Sequence, residues 1–287
     1  MKHLPLDREE YIEQTYFFRN YRERLEDDIP SQVVLATIYE EILATTNLPM
    51  AIDFLKGELL LTGRISDGMG KLSHYFTPFQ TFILKNAEDD KSKFEQKMGL
   101  KILEREAEYR SETPSSAGLF IYQFECIARN RLGYHAGLDA MSKDTMYNAD
   151  WSAWIQNLKI QLGAVDFADL LYFRSQHFVD EKRRQPGNEQ FVPRNPILFS
   201  KQDGRIAKAN HNREPLYMFA ALQRQLGYPN VPRPTPQTAK SLFHPALEAR
   251  LHKIESKLHL IDAELKGGLD LNQFIVKDPK FDENQTS

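Results

Sequence analysis

Cysteine is nearly missing from this chain of 287 residues. Cys126 stands alone, so no intrachain disulfide and no multi-cysteine zinc site can form. That fits a reducing compartment, and a cytoplasmic setting is the expectation. Long apolar runs are missing too. The stretches 33–38 and 59–61 fall far short of the ~20 residues that span a bilayer, so no membrane partner is expected. The start turns acidic at Asp7, Glu9 and Glu10 before any apolar run develops, which does not fit a secretory signal. Fourteen glycines and fifteen prolines are too few for a fibrous or low-complexity protein. Neither charge sign dominates: 37 Lys+Arg against 40 Asp+Glu leave a net charge of −3.

Chemical signatures are equally sparse. There is no Gly-x-Gly-x-x-Gly, P-loop, Gly-x-Ser-x-Gly or His-Glu-x-x-His. The eight histidines form no i, i+4 pair, and no Glu-x-x-His of the di-iron bundle type exists. His252 and His259, seven apart, supply too few ligands for a closed metal site. No catalytic residue, cofactor or metal is assigned, and the reading leans away from an enzyme. Cys126, between Phe124 and Ile127, reads as a small buried thiol. The run 104–110 reads as a charged outer helix face.

What is present is helix punctuation. Hydrophobic residues make up 41% and aromatic ones 11%, spread along the chain, which excludes disorder throughout. Asp7 with Glu10 has a capping-box pattern, Pro30 stops the first helix, and Asn47 with Pro49 starts another that Gly63 closes. Ser66 or Asp67, and then Thr77, cap the next two. Helices are expected over 119–131, 134–141, 151–162 and 167–178, with no strand runs between them. Residues 197–208 read as a β-hairpin, because Asp203-Gly204 suits a type I′ turn. The fold class expected is mainly α: stacked helical hairpins, either tetratricopeptide-like or an irregular α-bundle, with one small β-hairpin and a C-terminal heptad helix.

The organisation expected is a helical body over 1–181, a basic segment with hairpin and helix over 182–228, and a Pro-rich linker over 229–243. A heptad helix over 244–268 and a tail over 269–287 follow. In the heptad helix Leu247, Leu251, Ile254, Leu258, Ile261 and Leu265 form an a/d seam, a candidate for self-association or for packing within the chain.

Two further patterns bear on function. Ile65, Gly68, Met69 and Leu72 are matched by Tyr134, Gly137, Leu138 and Met141, as in the second helix of a tetratricopeptide hairpin. The two stretches lie about twice the ~34-residue period apart, and Lys56 and Glu125 stand where small residues are usual. Either true repeats or plain helical hairpins with small residues at tight crossings fit this, and both point to an interaction surface. The second pattern is charge: residues 182–240 carry +8 and the rest of the chain −11. Arg183, Arg184, Arg205, Lys208 and Arg213 are candidate anion or nucleic-acid contacts, with docking of the basic segment on the acidic body as the plainer account. Runs 122–125 and 174–177 mix polar and aromatic groups and fit a pocket lining or a polar seam between helices.

The stretches Leu4-Pro5-Leu6-Asp7-Arg8, His74-Tyr75-Phe76-Thr77-Pro78, Arg129-Asn130-Arg131-Leu132-Gly133-Tyr134 and Leu226-Gly227-Tyr228-Pro229 together carry a resemblance over nearly the whole chain. The chain resembles a family of uncharacterised bacterial helical proteins, a likeness that implies no activity, ligand or site residue. The expected function is a scaffold or adaptor that binds a protein partner. Anion or nucleic-acid binding through 182–240 is the alternative, and a homo-oligomer through 244–266 is a further expectation.

Overall fold

Residues 4–89 and 91–233 are described by a computed structural model, and all fall within the first of the two units, 1–234 and 235–287, into which the chain divides. Most of the expected linker, the heptad seam from Leu247 to Leu265 and the tail lie outside the described residues.

The first six helices are α1 (Arg8–Glu26), α2 (Ser31–Glu41), α3 (Leu48–Thr62), α4 (Ile65–Lys71), α5 (Pro78–Ala87) and α6 (Gln96–Ser111). Their ends follow local chemistry. Gly63 closes α3 at φ 73°, a left-handed conformation cheap only for glycine. Thr77 and Gln80 form a reciprocal capping box ahead of α5, with Pro78 in its first turn. The Asp7–Glu10 box does not form. Glu10 instead reaches sideways to accept from the backbone N–H (2.8 Å) and side-chain amide (2.7 Å) of Asn47 and from the Tyr75 hydroxyl (2.8 Å). Nor does Ser66 or Asp67 cap α4. The Glu88 carboxylate does so from outside, accepting from the N–H groups of Ile65 and Ser66 at 2.9 Å each.

The remaining helices are α7 (Ser116–Arg129), α8 (Tyr134–Ser142), α9 (Ala149–Gln161), α10 (Phe167–Tyr172), α11 (Gln176–Arg183), α12 (Lys201–Ala209) and α13 (Pro215–Leu226). Helix α7 is the centre: every residue from Ala117 to Ile127 is buried. Phe120 on it meets the rings of Trp151, Trp154 and Phe199. The expected helix over 167–178 is broken, because Ser175 leaves the helix to cap α11 and to form an isolated bridge with Phe199.

The expected β-hairpin is replaced by α12. Ser200 accepts from the Asp203 N–H while Asp203 accepts from the Ser200 N–H, a capping box that outcompetes the Asp-Gly turn. The basic segment and the start of the linker are part of the first unit. The Tyr228 hydroxyl donates to Glu125 (2.6 Å), Val231 is buried, and Asn130 donates to the Pro232 carbonyl (3.2 Å).

Small residues do sit at tight crossings. A Cβ on Gly68 would stand 2.7 Å from Leu55 Cδ2, and one on Gly137 2.5 Å from Ile127 Cδ1. In a repeat stack each unit touches only its neighbours. Here α6 returns to pack along α1 and α13 packs against α7, so the helices close on one another as an irregular bundle.

Candidate interaction surfaces

Three places concentrate features that ordinary packing does not require: a buried charge cluster, the basic segment, and an apolar face on α3. The charge cluster corrects the reading of 104–110 as an outer face, since Glu104, Glu106 and Arg110 all point inward. Arg110 donates to Glu106 Oε1 (2.9 Å) and forks onto both oxygens of Asp144. Gln123 donates to Glu106 (2.7 Å) and Asp144 (3.3 Å) and accepts from the Tyr147 hydroxyl (2.7 Å). The Tyr11 ring lies 5.9 Å from the guanidinium. Glu106 Oε2 and Arg110 Nε are buried without a hydrogen-bond partner. Burial pushes the Glu106 carboxyl above its ordinary value, against the pull of Arg110. No solvent reaches these side chains, so the cluster ties α1, α6, α7 and the α8–α9 connection together. Cys126 is fully buried, and desolvation pushes its thiol far up, which disfavours the reactive thiolate.

The run 122–125 divides between the two expected roles. Gln123 joins the charge cluster and Glu125 accepts from Tyr228 and Arg129, while Phe124 lines a cavity. In 174–177, Ser175 is spent on capping and His177 lies 3.5 Å from Glu181.

Part of the basic segment is spent on the body's own acids. Lys208 donates to both oxygens of Glu181 (2.6 Å each), holding that carboxyl below its usual range. Lys201 pairs with Asp180 at 3.1 Å and His211 with Asp169 at 2.8 Å. Arg183 donates to the Phe191 carbonyl at 3.0 Å. Arg184 at the end of α11, Arg205 on α12 and Arg213 before α13 are exposed. Among the described residues no group of three His, Cys, Asp or Glu side chains is placed to hold a metal ion. Among them, too, no helix is long and apolar enough to cross a membrane.

The α3 face is what the sequence reading missed. Leu48, Ala51, Ile52 and Leu55 fill the core side of α3. Met50 (69% exposed), Phe54 (38%) and Leu61 (81%) run along the other side with Gly57 between them, at spacings of four, three and four. A would-be Cβ on Gly57 meets nothing within 4 Å, so the row has an open notch at its middle. Among the described residues, nine of the eighteen exposed large apolar side chains lie between residues 12 and 61. Lys56 of α3 lies over the Tyr39 ring of α2 at 5.2 Å, so α2 flanks α3. Part of the signal was readable: Met50, Phe54 and Leu61 share a second face of α3, apart from the stripe that fills the core.

Comparison of the chain with family models, curated proteins and solved structures returns no match.

Proposed function

We propose that the protein is a non-enzymatic scaffold or adaptor that docks an amphipathic helix of a protein partner on the exposed face of α3. The observation that carries this reading is the row Met50, Phe54, Gly57, Leu61, whose spacing fits the ridge-and-groove packing of a second helix. The lone buried cysteine fits a cytoplasmic setting for such an adaptor. Gly57 gives a partner side chain a notch to enter without displacing anything.

The test compares affinity capture by the wild type, by the double variant Met50→Lys with Leu61→Lys, and by Ile160→Lys as an exposed control on α9. Both target positions are more than two-thirds exposed, so the fold tolerates lysine there. Proteins retained by wild type and control but lost by the double variant support the reading. Identical capture by all three overturns it.

A further inference from the structure

A cavity of about 480 Å³ lies between α7, α8, the α9–α10 turn and α13. Its size falls within the range of small-molecule sites. The walls are aromatic: Phe124 and Phe167 stack at 4.1 Å and 9°, and Phe219 stands 6.2 and 6.0 Å from them. Tyr134 (45% exposed) and Val165 (38%) stand at the mouth, so apolar surface is open there. Gly163, at φ 90°, makes the turn that carries this wall from α9 to α10.

Lys159 is the one Lys or Arg in the lining of the cavity. Lys159 lines it with a side chain only 14% exposed, and its ammonium lies 3.2 Å from Asp139 Oδ1. Asp139 is shared, because Lys143 holds its other oxygen at 2.6 Å and Gln156 donates to it at 3.3 Å. One carboxylate thus faces two ammonium groups, and His135 adds a further polar group to the lining. A mostly buried cation with half a counter-charge favours an anionic ligand, and its effect is stronger for being partly desolvated.

We propose that this cavity binds a small monocarboxylate with an apolar body, its hydrocarbon against Phe124, Phe167 and Phe219 and its carboxylate at Lys159. The proposal is independent of the α3 face. It is tested on the full chain by calorimetric titration with decanoate, 2-naphthoate, decanol and decyltrimethylammonium at fixed ionic strength. Saturable binding of a carboxylate about ten-fold tighter than decanol supports it, a ratio typical of one charge-assisted contact. Decanoate against naphthoate then separates an acyl body from an aromatic one. Lys159→Met removes the preference for the carboxylate over decanol. Val165→Glu, at the mouth, weakens decanoate about ten-fold and favours the ammonium amphiphile, with an unshifted thermal melt showing that the fold is intact. Equal affinity for decanoate and decanol, or no saturable binding of any of the four, overturns the proposal.

Discussion

Arg110 shows what a single side chain does in this fold. Its guanidinium is fully buried, and Asp144 and Glu106 supply two carboxylates for one cation. Asp144 forks onto it, while Glu106 leaves Oε2 without a donor. An ionised oxygen buried without a donor is costlier than a neutral one, in agreement with the upward push on the Glu106 carboxyl by desolvation. The linkage sign follows. Between the ordinary carboxylate value of about 4.3 and the higher value in the fold, the folded chain holds a proton that the unfolded chain releases, so stability falls as pH rises through that window. Glu106→Gln keeps the acceptor for Arg110 and Gln123 and removes the titration. Urea midpoints at pH 5 and pH 8 should therefore lie closer together in this variant than in wild type. An unchanged difference would refute the assignment. Arg110→Met leaves Asp144 buried and unpaired and should cost about 3–5 kcal/mol, read from the same unfolding curves.

Among the elements, α12 was the least legible from sequence and has the clearest physical cause. Asp203-Gly204 carries both a hairpin-turn signal and the last residue of a Ser-x-x-Asp box, and sequence alone does not rank them. Tertiary contact decides. A Cβ on Gly204 would stand 2.1 Å from Ser175 Oγ, 2.5 Å from Ser175 Cβ and 2.8 Å from His177 Cβ, so the glycine is there to let α12 cross the start of α11. Two of those neighbours are Cβ atoms fixed to the backbone, and Ser175 caps α11, so neither helix can yield cheaply. Gly204→Ala should destabilise by about 1–3 kcal/mol despite the better helix propensity of alanine. Gly57→Ala, with open space around it, should stabilise by about 0.5–1 kcal/mol. Thermal melts of the two variants should move in opposite directions. Elements whose signals were local, such as the Thr77 box and the Gly63 stop, were readable, and so were the crossing glycines Gly68 and Gly137. What escaped depended on partners distant in sequence: Glu10 diverted to Asn47 and Tyr75, Glu88 capping α4 from α5, and the inward charges of α6. The α3 row escaped because the stripe Ile52, Leu55 and Leu59 alone marks the helix, and a second apolar face adds nothing to that periodicity.

For the whole molecule, the remaining question is what residues 244–266 do, and their sequence pattern, which lies outside the described residues, makes a definite prediction. Leu247, Leu251, Ile254, Leu258, Ile261 and Leu265 recur at spacings of four and three, the pattern of an a/d seam, and an apolar seam of this kind draws copies of a chain together. We propose that the full chain self-associates through 244–266 and expect it to sediment as a homo-oligomer. Ile254→Asp with Leu258→Asp, or deletion of 244–266, should return it to monomer. The first unit has its own core around α7, so its thermal transition should survive either change. An oligomer would multiply the α3 faces on one particle, and a weak helix-docking site repeated on each copy gains avidity without any new contact. Analytical ultracentrifugation decides the point: a wild-type monomer at micromolar concentration would mean that the seam is satisfied within the chain, and the adaptor would then act through a single face.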